Sequence, residues 1–236
     1  MINLAGKRKT FLGFEKTDNP TVVKLKFKTE QGAYFYDKDL GNIKGEGFDG
    51  EIEVPLQNVV ELYLALKTFE DSFEFGKMEE SISFEDDDKK IMFYTTEKRP
   101  ATIHIKGIDY KKKTSGILYV DVSNYPYVLL LAYMRQFLSN FSVLSFSVFN
   151  INFSYSKDEN LLLIYDKDLG NTEYVKSENL SAMKELFDNY MERGLMFTHS
   201  FTPDRNVFID KEKNFHINDK QFDFSLFKKV AYLISI

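Results

Sequence analysis

The chain contains no cysteine and no tryptophan. Without thiols there are no disulfides, no thiolate metal ligands and no cysteine redox chemistry, which is compatible with a reducing compartment. There are only three histidines, His104, His199 and His216, and none has zinc-type spacing. No Gly-rich phosphate loop or nucleophile elbow occurs, so neither an enzyme nor a cofactor site is expected. The longest apolar run, Tyr125 to Met134, is too short to span a bilayer, so no membrane partner is expected. The opening MINLAGKRKT lacks an apolar core after its charges, so no secretory signal is read and a cytoplasmic location is expected. Positive charge is also short. The formal net charge is −5, so nucleic acid would not be held by bulk electrostatics; any contact needs a localised positive surface.

What the chain does have is repetition. Tyr36-Asp37-Lys38-Asp39-Leu40-Gly41-Asn42 recurs as Tyr165-Asp166-Lys167-Asp168-Leu169-Gly170-Asn171. The flanks agree, with KTEQGAYFYDKDLGN at 28–42 over KDENLLLIYDKDLGN at 157–171. Helical stretches follow both copies, from Val54 and from Val175. Hairpin patterns follow in turn: 81–105 and 199–217 both run from Ser-Phe through an acidic turn to a strand ending His-Ile. Such self-similarity implies two copies of one domain. The expected division is a first domain over 1–106, a polar, Gly-flanked linker over 107–116, and a second domain over 117–236.

Hydrophobic content of 43% makes the chain globular, and 23 Phe with 14 Tyr favour strands. Spacings of three and four predict helices over 54–67, opened by Pro55, and over 178–193, closed by Gly194. A third helix, apolar nearly all round, is predicted over 123–140, and a fourth over 4–16 despite Gly6 and Gly13. About fourteen strands are predicted, the last being VAYLISI at the C-terminus. The fold class is therefore α+β, with more sheet than helix.

The duplicated histidines His104 and His216 read as structural. YDKDLGN opens like an EF-hand loop, but Phe48 and Ser177 stand where the bidentate Glu is required, so it reads as an Asp/Gly/Asn turn. The run Glu85-Asp86-Asp87-Asp88 reads as a hairpin turn and not as a metal site.

The order helix, strands, helix, strands, done twice, resembles the DNA sliding clamps (polymerase processivity factors), in particular the two-domain clamps of T4-like phages. The stretch that carries the resemblance is 48–95, FDGEIEVPLQNVVELYLALKTFEDSFEFGKMEESISFEDDDKKIMFYT, together with the ending KKVAYLISI. The resemblance covers nearly the whole chain, but as a pattern with no diagnostic motif. It implies a DNA-clamp fold of two tandem similar domains, each with two helices and antiparallel sheets. It also implies a head-to-tail homotrimeric ring around duplex DNA, bound without sequence preference, with a DNA polymerase and an ATP-dependent clamp loader as partners, and the host cytoplasm as location if phage-encoded. Basic residues on or beside the helices would face DNA: Lys7, Arg8, Lys9, Lys67, Arg135, Lys176 and Lys184. A groove for partner peptides would involve Tyr110, Tyr232 and Ile234.

Two other readings stay open. Single-stranded nucleic-acid binders of the PUR or Whirly type repeat four strands and a helix, the same cycle cut at another point. Their base-stacking platform would be Phe27, Tyr34, Tyr36, Phe93 and Tyr165. The last segment discriminates: a strand over 224–236 fits a clamp, a helix fits the PUR-like cut. The third reading is a structural ring or interaction protein with no DNA role.

Overall fold

In the computed structural model, residues 1–4, 9–38, 40–72 and 81–236 are described. The chain is a mixed α+β protein of two compact units, Met1–Phe137 and Leu138–Ile236. Among the described residues no helix is long and apolar enough to cross a membrane.

The first unit begins with strands β1 (Ile2–Asn3), β2 (Phe11–Lys16) and β3 (Val22–Thr29). A small hairpin follows, β4 (Phe35–Asp37) and β5 (Gly41–Ile43), and then β6 (Phe48–Pro55) and helix α1 (Leu56–Ser72). The main sheet has the order β1-β2-β3-β6, with β4-β5 outside it. Next come β7 (Ile82–Glu85), β8 (Lys89–Thr96), β9 (Arg99–Asp109), β10 (Thr114–Asp121) and helix α2 (Tyr125–Leu138). These four strands form a second antiparallel sheet, β10-β9-β8-β7.

Three expectations need correction here. The helix predicted through residue 16 is a strand from Phe11 onward. Gly13 is not a helix defect; a Cβ there would lie 2.9 Å from the Met1 Cα, so the glycine admits the N-terminal strand. Secondly, 107–116 is not a linker. Gly107 pairs with both Ile91 and Gly116, and Ser115 exchanges backbone hydrogen bonds with Ala33, Lys44 and Gly47. A Cβ on Gly107 or Gly116 would run into the Phe48 ring or the Gly47–Phe48 backbone, so these glycines serve close packing. The units part at 137/138 instead, because α2 belongs to the first one. The Phe14 N–H donates to the Tyr133 hydroxyl at 3.0 Å, and the Tyr127 hydroxyl donates to the Leu66 carbonyl of α1. Thirdly, α1 is the helix covered on every side, with no exposed residue from Leu56 to Glu70, whereas α2 exposes Tyr125 and Val128.

The second unit holds β11 (Val143–Val148), β12 (Ile151–Ser156), β13 (Leu161–Asp166) and β14 (Asn171–Val175), a meander followed by helix α3 (Ser177–Arg193). Gly194 closes α3 at φ 67°, as its position after the periodic run predicts. Then come β15 (His199–Ser200), β16 (Val207–Ile209), β17 (Phe215–Ile217) and β18 (Lys220–Phe222), a second meander. The chain ends in helix α4 (Phe224–Leu233), where a strand was expected. Asp223 caps it by accepting from the Ser225 N–H, and Leu226, Phe227, Val230 and Leu233 form its buried stripe. Phe227 sits 5.5 Å from Phe215 and 6.0 Å from Phe201, at the centre of this unit's aromatic core. With the β4-β5 hairpin set aside, the cycle of four strands and a helix is completed four times, twice in each unit.

Candidate nucleic-acid interface

The residues that the clamp resemblance singles out are divided between the two units. Lys7 and Arg8 lie outside the described residues. Lys9 is exposed just before β2. Lys67 is half-buried on α1 and ion-paired with Glu70. Arg135 is exposed in the last turn of α2. In the second unit, Lys176 is exposed at the start of α3 and Lys184 is half-buried, while Glu185, Asp188 and Glu192 occupy the exposed face of the same helix. Tyr232 and Ile234 are core side chains; Tyr232 packs edge-on against Phe187 at 5.1 Å. Tyr110 packs on Met92, Tyr94 and Ile108, and its hydroxyl donates to Glu85 at 2.7 Å. Of the proposed stacking platform, Phe27 and Phe93 are buried, and Tyr34, Tyr36 and Tyr165 are exposed.

Lysines gather in a cleft of about 470 Å³ in the first unit. Period-two alternation puts Leu25 and Phe27 of β3 into the core and Lys24, Lys26 and Lys28 on the outer face. β6 pairs with β3 and presents Asp49 and Glu51 opposite these lysines. Lys28 meets Asp49 at 2.5 Å, Lys26 meets Glu15 at 2.7 Å, and Lys24 meets Glu51 at 2.9 Å. The hydrogen bonds to Glu15 and Asp49 hold Lys26 and Lys28 above the ordinary lysine range, so both stay cationic at any physiological pH. The second sheet then adds two more lysines at the rim, Lys89 from the start of β8 and Lys112 from the β9-β10 turn. Gly50 makes room for this, since a Cβ there would meet the Lys89 Cδ at 2.8 Å. Lys112 bonds Asp109 at 3.1 Å, and Lys89 makes no ion pair among the described residues. The cleft is lined by four lysines and two carboxylates, with Met1, Phe27 and Gly50 completing it, and Glu15 and Asp109 beside it pair with Lys26 and Lys112. An anion as large as a phosphodiester fits this chemistry: several cations, exposed ends and no base-reading geometry.

A second polar set lies on the outer face of sheet β10-β9-β8-β7, under the β4-β5 hairpin. Lys106 is buried there, its Nζ 3.4 Å from the Phe35 ring centroid. Burial lowers its pKa to about 8. Two residues back along β9, His104 lies between Tyr94, tilted at 5.0 Å, and Tyr119, edge-on at 4.8 Å. Its Nε2 has no hydrogen-bond partner, and burial holds it below the usual histidine range. Its counterpart His216 behaves differently, meeting Asp210 at 2.8 Å and lying flat on Phe208. Both are packed within strands, as duplicated structural histidines would be. Among the described residues no group of three or more His, Cys, Asp or Glu is placed to hold a metal ion.

The basic cleft was invisible to motif reading because no motif spells it. The alternation Lys24-x-Lys26-x-Lys28 was legible as an outward-facing row; the approach of Lys89 and Lys112 was not. No protein-family model matches the chain, and neither a curated protein nor a solved structure matches it.

Proposed function

We propose that this protein is a non-catalytic nucleic-acid-binding protein that takes the backbone of a single strand into the lysine-lined cleft of its first unit. The observation that carries the reading is the cleft itself, which gathers four lysines, Lys26, Lys28, Lys89 and Lys112, on a chain of net charge −5, with Lys89 outside any ion pair among the described residues. The order of elements supports it. The chain runs as four strand-strand-strand-strand-helix cycles and closes on a helix, the cut that the PUR-like reading implies.

The clamp reading keeps one observation in its favour: each unit carries two helices and two four-stranded antiparallel sheets. It is weakened by the helices. α1 presents no exposed residue between Leu56 and Glu70, and the exposed face of α3 is acidic, so neither offers a cationic lining for duplex DNA.

Fluorescence anisotropy with a labelled single strand of about 20 nucleotides, and with the duplex of the same sequence, separates the readings. The single strand is expected to bind, with affinity falling steeply as salt rises. Replacing both Lys89 and Lys112 with Ala should shrink the slope of log affinity against log salt by about 1.4, two contacts at about 0.7 each. Binding that ignores these substitutions, or no binding even at low salt, sinks the reading. Retention on closed circular duplex and loss on linearisation would favour the clamp.

A further inference from the structure

The β4-β5 hairpin stands outside both four-stranded sheets of the first unit and turns two large aromatic rings to solvent. Period-two alternation sets their direction. Phe35 points inward onto Lys106 and Ile43 is buried, so Tyr34, Tyr36, Asn42 and Lys44 fall on the outer face. Tyr34 and Tyr36 are 80% and 71% exposed. Gly45 seats the first ring, since a Cβ there would lie 2.7 Å from the Tyr34 Cδ2. The turn itself does not demand the pair: the second copy of the duplicated segment has the half-buried Leu163 where the first has Tyr34. The β9-β10 turn joins this hairpin to the lysine-lined cleft. Lys112 lines the cleft, and its neighbour Lys113 donates from Nζ to the Leu40 carbonyl at 3.1 Å and accepts at its own carbonyl from the Lys44 N–H at 2.9 Å. Lys38 and Lys111 are exposed and make no ion pair among the described residues. Of the nearby acids, Asp37 caps the Leu40 N–H, Asp109 is buried against Lys112 and Glu46 lies 3.8 Å from Lys44, while Asp39 lies outside the described residues.

We propose that Tyr34 and Tyr36 clasp one base of a single-stranded nucleic acid whose phosphates run along the cleft and the Lys111–Lys113 turn. The clasp rests on the single-strand reading of the cleft and adds to it the contact with the bases. Every base has two π-faces, so a ring on each side holds it without reading its identity. The spacing suits one base: residues i and i+2 of an extended chain lie about 7 Å apart, twice the stacking distance of about 3.4 Å. A base inside a duplex has both faces covered by its neighbours in the stack, and freeing it costs energy. The clasp therefore selects single strands, a choice that phosphate contacts alone do not make. Charge decides against an apolar peptide, which would leave Lys38, Lys111 and Lys113 around the rings without anions.

The chain has no tryptophan, so Tyr36→Trp places a single indole in the clasp. Titration with an unlabelled single strand should quench its emission in step with binding, which anisotropy of a labelled strand follows separately. Tyr125→Trp, at a position 74% exposed on α2 of the same unit, is the control and should keep its emission. Tyr34→Ala and Tyr36→Ala should each weaken strand binding by roughly fivefold or more. Their salt slope should match that of the wild type, because stacking releases no counterions, whereas the lysine substitutions in the cleft reduce it. A strand of the same length without bases should bind the wild type and the double tyrosine variant equally. Both side chains are exposed, and circular dichroism checks that the variants fold. An indole that is not quenched while anisotropy shows binding overturns the clasp and leaves the cleft reading standing. So do tyrosine variants that bind as tightly as the wild type. A wild type that binds no single strand at all overturns both.

Discussion

The two copies of Tyr-Asp-Lys-Asp-Leu-Gly-Asn share every residue and differ in what surrounds them. In both, the residue before the Tyr faces inward, the Tyr faces out and the first Asp faces in: Phe35, Tyr36 and Asp37 in one copy, Ile164, Tyr165 and Asp166 in the other. In both, the Gly adopts a left-handed backbone, with φ 78° at Gly41 and 65° at Gly170. The pairing then diverges by one residue. Asp37 pairs with Gly41, whereas Asp166 pairs with Asn171. The second copy is continuous with a four-stranded sheet, where β12 sets the register of β13; the first stands outside its sheet and lies over Lys106 through Phe35. Local sequence therefore decides which way side chains point and where the chain turns, and the neighbouring elements decide the pairing.

The largest expected contrast is between the two leading aspartates. Asp166 is wholly buried and accepts from Lys220 at 2.8 Å, from Asn218 at 3.3 Å and from the Asp168 N–H at 3.0 Å. Asp37 is half-buried and caps the Leu40 N–H at 3.0 Å. Asp166→Ala should cost about 2–3 kcal/mol in urea unfolding, because it strands a buried donor set. Asp37→Ala should cost under about 1 kcal/mol. Desolvation opposes ionisation of Asp166, but the Lys220, Asn218 and backbone donors outweigh it and hold its pKa below the ordinary value. A carboxyl depressed in the folded state stabilises above its unfolded pKa, about 3.9, and loses that contribution as pH falls through the folded value. The gap between wild type and Asp166→Ala should therefore be constant at neutral pH and close only below about pH 4. Equal costs for the two aspartates would erase the distinction.

Next in size is the consequence of the first copy's position over Lys106. The unfolded lysine keeps its proton to about pH 10.4, while the folded one loses it near pH 8, mainly through burial. Between those values the unfolded state binds more protons, so stability rises with pH across that window. Lys106→Met should be more stable than wild type at pH 7 by roughly 1–3 kcal/mol, and the difference should shrink between about pH 8 and 10. Phe35→Ala, by opening the cover, should move the lysine titration followed by NMR back toward its normal value.

Legibility in the sequence follows the same division between local and distant causes. α1, α2 and α3 were readable because each carries its own apolar stripe, and Gly194 announced the end of α3. α4 was misread because Val230, Tyr232 and Ile234 carry strand propensity, although Asp223 before Leu226, Phe227 and Val230 is a helix-start signal that was present. β2 was misread as helix although Gly13 argued against one; the glycine admits the close approach of Met1. β11 and β14 went unrecognised, their serines and threonine being weak strand markers that the sheet recruits. The cleft draws on two sheets and a turn, and such long-range assembly leaves no trace in spacing.

The smallest effect should be the one the copies share. A Cβ at Gly41 or Gly170 meets nothing within 4 Å, so alanine there is opposed by backbone conformation alone. Each substitution should cost about 1–2 kcal/mol, the ordinary penalty for an L-residue in the left-handed region. The two costs should agree within about 0.5 kcal/mol, since distant, independent sites respond to their own local conformation. Agreement in denaturation midpoints would place the turn among the properties local sequence controls. A Gly170→Ala cost well above that of Gly41→Ala would mean that the sheet around the second copy also resists relaxation of its turn, and that even the shared feature is set by context.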